Sequence, residues 1–132
     1  MVQAQIGYAA DEHGNGIAYT RLMSRTGERL VRVAFRVQRL AALDGREVGY
    51  GALAAVAALL HDHGVGNVRF LIPDEQLIAD VTQRRDVPPP MVLPYVRLGC
   101  ALNRLKAYEL CAGSDPDLSQ RALAEVTLHT AA

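Results

Sequence analysis

The side chains that could do chemistry are scattered along this chain rather than gathered into one motif. Cys100 and Cys111 are the only cysteines, and they form no C-x-x-C pair and no metal-ligand spacing with the four histidines. Two reduced thiols in the core is the expected state. His61 and His63 lie two apart on a helical segment, so they face different directions and read as solvated residues near its C-terminus. Asp74 follows an apolar strand and precedes a helix, a position suited to capping. Asp115 or Asp117 stands in the same relation to the last helix. Six arginines, from Arg21 to Arg39, face only Glu28 within their span, a local excess of five positive charges. Arg32 and Arg36 share one strand face. That face is either a solvated outer surface that discourages edge pairing or a surface for phosphates or a partner.

The elements that must position these residues follow from periodicity. Gln3 to Ala10 reads as a strand with Ile6 and Tyr8 on one face, and the Asp11 to Gly16 segment supplies turn chemistry. Gly16 to Ser24 is a second strand, returning through Arg25 to Glu28. In the third, Val31, Val33, Phe35 and Val37 alternate with Arg32, Ala34, Arg36 and Gln38, a period of two with one buried face. Short turns between the three predict an antiparallel meander. Beyond Gly45, Tyr50, Leu53, Val56, Ala57 and Leu60 fall at helical spacing, and Gly64 stops that helix. Asn67 to Ile72 reads as a strand of the buried kind. A helix with Leu77, Ile78 and Val81 on one face, a proline-rich connector, and a helix opened by Pro94 come next. Lys106 to Ala112 is a fifth strand, and Leu118 to Leu128 a last helix. The order is βββαβααβα.

Composition narrows the function classes. The 132 residues fit one domain, 1–132, and half of them are apolar, enough for a core without disulfide or metal staples. Thirteen Arg and one Lys balance fourteen acids, so any nucleic-acid contact rests on local charge rather than a general basic excess. The N-terminus lacks the basic and apolar regions of a signal peptide, and Gly51 to Leu60 is too short to span a membrane. A cytoplasmic location with no membrane contact is expected.

Three local patterns carry a resemblance. Tyr50-Gly51-Ala52-Leu53, opening a helix after a three-strand meander, resembles the A-E-Y-x-A-L helix of the ribonuclease H family. Ile72 to Ile78 resembles that family's fourth strand and its D-S-Q-L-V turn. Asp117 to Ala124 has the spacing of its closing N-x-x-A-D-x-L-A helix. The resemblance covers nearly the whole chain and implies an α/β, ribonuclease H-like fold: a five-stranded mixed sheet flanked by helices, with the fourth strand parallel to the first.

Members of that family cut the RNA strand of RNA–DNA hybrids with two Mg²⁺ ions held by four carboxylates. Carried onto this sequence, the position after strand four falls on Asp74, which the resemblance makes a metal ligand. The first-helix Glu position falls on Gly49; Glu47 lies two residues earlier, about 200° round a helix. The strand-one Asp falls on Ala9 or Ala10, with Asp11 and Glu12 just beyond, and the last-helix Asp falls on Arg121. In that register Arg121 projects toward the cleft and pairs with Asp74. The resemblance therefore implies a degenerate site that binds without cutting and needs no cofactor. Arg21, Arg32, Arg36 and Arg121 are then the candidates for contacting an RNA–DNA hybrid or RNA, and a protein partner or a homodimer is the other kind of partner. The alternative is a divergent nuclease using Mg²⁺ or Mn²⁺ through Asp74, Glu47 and Asp11, completed by Asp115 or Asp117.

Overall fold

The computed structural model describes residues 1–84 and 86–131. Five strands, β1 (Val2–Ala10), β2 (Asn15–Ser24), β3 (Gly27–Arg36), β4 (Asn67–Ile72) and β5 (Ala107–Ala112), form one sheet in the order β3-β2-β1-β4-β5. The meander is antiparallel, with Tyr8 opposite Ala18 and Tyr19 opposite Arg32. β4 runs parallel to β1 and β5 parallel to β4, as helical crossovers favour. Four α-helices accompany them: α1 (Arg46–Asp62), α2 (Glu75–Thr82), α3 (Val92–Asn103) and α4 (Pro116–Ala131).

Strand alternation sorts the helices between the two faces. On one face Ala4, Ile6, Ala18, Phe35 and Phe70 pack with Tyr50, Leu53 and Val56 of α1 and Leu98 and Leu102 of α3. On the other, Ile17 packs with Ala122 and Val126 of α4. The approach of α4 is close because Gly7 has no side chain: a Cβ there would lie 2.5 Å from the backbone nitrogen of Ser119.

α1 keeps its expected start, at Arg46 just beyond Gly45 in a left-handed conformation (φ 87°), so Glu47 and Gly49 lie on one continuous helix. Several local readings shift. α3 begins at Val92 rather than Pro94, since proline in a first turn forfeits only a hydrogen bond that would not be made. β4 is buried on one face only: Val68, Phe70 and Ile72 point into the core, while Arg69 is exposed and donates to Glu109 at 2.9 Å. Cys100 is exposed rather than a core thiol, because Leu98, Ala101 and Leu102 take the buried side of α3; Cys111 is half-buried. No described helix is long and apolar enough to cross a membrane.

Candidate functional site

Three segments converge where β1, α1 and the β4–α2 junction meet. Asp74 caps α2, its Oδ1 accepting from the backbone N–H of Leu77 at 3.1 Å. Its Oδ2 approaches Gly49 of α1, where an added Cβ would lie 3.2 Å away. The same Cβ would lie 2.7 Å from the hydroxyl oxygen of Tyr8. The tip of the Tyr8 ring therefore occupies the room that a first-helix carboxylate would need. Burial, and secondarily the negative charge of Asp74, raise the Tyr8 phenol well above its ordinary value. Tyr8 was not legible as a site residue. Its only signal was a face shared with Ile6.

Beside this junction lies a buried network that also escaped the sequence reading. Asp80, 2 % exposed, accepts from the Tyr50 hydroxyl at 2.7 Å, from Gln76 Nε2 at 3.0 Å and from the Arg46 guanidinium. Burial works against its charge, yet the donation from Tyr50 and Gln76 and the positive charge of Arg46 hold its carboxyl below the usual range. Tyr50 is pushed up, first by burial and then by its bond to Asp80. The available signal was spacing: Gln76 and Asp80 on α2, and Arg46 and Tyr50 on α1, are each four apart and share a helix face.

The other carboxylates named from the sequence are engaged elsewhere. Glu47 is 1 % exposed, and its Oε2 accepts from the Leu40 N–H at 3.0 Å and lies 3.8 Å from Arg39 Nε. Two residues along one helix turn it away from Gly49 by about 200°. Asp11 closes its turn, accepting from the backbone N–H groups of His13 and Asn15 at 2.9 Å and from the Asn15 amide at 3.2 Å. Although some desolvation opposes it, these bonds from Asn15 and His13 lower its pKa. Asp115 caps α4, with Oδ1 3.4 Å from the Leu118 nitrogen, and Asp117 stands in the first turn. Among the described residues, no three His, Cys, Asp or Glu side chains gather closely enough to hold a metal ion.

The arginines lie on the α4 face. Arg32 donates from Nε to Glu125 of α4 at 2.7 Å, and Tyr19 donates to the same carboxylate at 2.7 Å. Arg21 pairs with Glu28 at 2.8 Å and with Asp115 at 3.4 Å. Arg36 is exposed at the end of β3. Arg121 does not reach Asp74. Its guanidinium sits 5.5 Å from the centre of the Tyr19 ring, because Leu118, Ala122 and Val126 take the inward side of α4 and turn Arg121 along the opposite face of the sheet.

Solved structures share this architecture. Ribonuclease H1 from the halophilic archaeon Halobacterium salinarum NRC-1 superposes with a TM-score of 0.72 at 18% identity, covering 96% of both chains. The N-terminal ribonuclease H domain of Rv2228c from Mycobacterium tuberculosis, solved as a maltose-binding-protein fusion, gives 0.73 at 12% identity, with 99% of this chain and 98% of that one covered. LC11 ribonuclease H1, solved in complex with an RNA/DNA hybrid, gives 0.64 at 10% identity over 94% of this chain and 92% of that one. No family model and no curated protein matches the sequence. The fold is ribonuclease H-like.

Proposed function

We propose that this chain is a ribonuclease H-like domain that has lost metal-dependent hydrolysis and acts by binding, with an RNA–DNA hybrid as its first candidate partner. The observation that carries the reading is the Tyr8 hydroxyl against Gly49. One missing carboxylate is filled by a neutral phenol, and the remaining Asp74 already gives one oxygen to the α2 N-terminus. A hard cation needs several oxygens to offset its dehydration, and the residues present do not fit a two-metal centre. The hybrid is favoured as ligand because the similar LC11 enzyme was solved with one. A protein partner is the other binding reading. Asp74, kept in the fold position that the resemblance gives to a ligand, is what favours a divergent nuclease as the alternative.

Two measurements on the full chain separate these readings. An end-labelled RNA–DNA hybrid incubated with millimolar Mg²⁺ or Mn²⁺ should stay intact while fluorescence anisotropy reports its binding. Robust cleavage that disappears in Asp74→Asn would establish the nuclease. An intact, unbound hybrid would leave a protein partner. Thermal unfolding gives an independent view, since an ion bound only to the folded state at a hundredfold above its dissociation constant adds about 2.7 kcal/mol. Mg²⁺ in the millimolar range should leave the melting temperature unchanged.

A further inference from the structure

A second concavity lies away from the Asp74 junction, between the open edge of β3 and the helix layer. Its volume is about 320 Å³, within the range of small-molecule sites. Phe35, Val37 and Leu40 wall one side and Leu93 and Pro94 of α3 the other. Between those walls α1 contributes the small residues Gly51, Ala54 and Ala55 beside Tyr50 and Glu47, which leaves the space open. Val37 closes against Gly51, where a Cβ would lie 2.1 Å from its Cγ1.

Two polar features give this apolar space a direction. Glu47 lines it, is 1 % exposed, and its Oε1 has no hydrogen-bond partner, although Oε2 is bonded to Leu40. A buried acceptor without a donor is costly, and a ligand donor would relieve that cost. Arg97 of α3, exposed, is the cation of the lining on this side of the sheet, since the Arg36 side chain leaves β3 on the α4 side, and the lining's one acid is the buried Glu47 beside Arg39. The mouth therefore favours negative charge.

We propose that this cavity binds a small amphipathic anion: an aryl or branched-alkyl body, a carboxylate at the arginine mouth, and a hydroxyl or amide donor directed to Glu47. The site is independent of the binding reading above.

The test titrates the full chain with 4-hydroxyphenylacetate, phenylacetate and tyramine, followed by amide chemical shifts. The expected result is saturable perturbation at Leu40, Ala54 and Leu93. 4-Hydroxyphenylacetate should bind about five-fold tighter than phenylacetate, as one added hydrogen bond allows, and the cation tyramine should not bind. Ala54→Leu should weaken binding at least about ten-fold by filling the space, and Arg97→Glu, on an exposed position that leaves the fold intact, should weaken it as well. Silence of all three probes, equal affinity of the two acids, or shifts that survive both variants would overturn the proposal. So would binding confined to an extended peptide along β3.

Discussion

At the scale of single residues, the question turns on Tyr8 and Asp80, two groups whose protonation the fold controls. Tyr8 and Tyr50 have phenol pKa values raised by burial, so the folded chain holds protons that the unfolded chain releases. Their contribution to stability is fully present below the unfolded value of about 10 and is lost as pH rises above it toward the folded values. Urea midpoints measured from pH 8 to 11 should therefore fall, and the fall should be shallower in Tyr8→Phe. Asp80 has the opposite sign. Its depressed carboxyl contributes stability that is present above the unfolded value of about 4 and is lost as pH falls through the folded one. Asp80→Ala should cost about 3 kcal/mol at neutral pH, because it leaves Arg46 and the Tyr50 hydroxyl without their buried acceptor. Equilibrium urea unfolding measures that loss, and the variant should be less sensitive to acid than the parent.

At the scale of elements, the seat of α4 on the sheet depends on an absent side chain. A methyl group on Gly7 would meet the Ser119 backbone nitrogen and the Leu118 carbonyl carbon at 2.5 and 2.6 Å, and a helix backbone cannot rotate out of the way. Gly7→Ala should therefore destabilise by about 1–3 kcal/mol through overpacking. Gly99, inside α3, offers the contrast, since a Cβ there meets nothing within 4 Å. Gly99→Ala should stabilise by about 0.4–1 kcal/mol by reducing the freedom of the unfolded chain. Urea denaturation of the two variants side by side checks both signs. The element boundaries were mostly legible because hydrophobic period and turn residues are local: β4 begins and ends where its apolar run does. The start of α1 was legible too, just beyond Gly45, which caps the helix through its left-handed backbone with no side-chain bond.

Across the whole molecule, charge that looks concentrated in the sequence is dispersed by folding. The arginine-rich segment meets acids delivered from the far end of the chain, Glu125 to Arg32 and Asp115 to Arg21. Three of its six cations, Arg25, Arg29 and Arg36, remain to release counterions from a polyanion. If the hybrid binds, the slope of log affinity against log salt should be moderate, about −2 to −3, corresponding to two or three neutralised phosphates at roughly −0.9 each. A titration series from 50 to about 200 mM salt would expose the paired arginines as the wrong inventory if the slope were several times steeper.

The sequence alone determined the number, type and order of the elements and the parallel return of β4, and it put Gly49 and Arg121 where the resemblance looks for acids. Each of these is a local pattern or a matter of residue identity. The sequence could not bring Tyr8 against Gly49, seat Arg121 over Tyr19, join Asp80 to Arg46 and Tyr50, or turn Glu47 toward Leu40. Those outcomes depend on which face of a strand or helix meets which neighbour across distant parts of the chain. Only the packing of β1 against α1, and of α4 against the opposite side of the sheet, decides them.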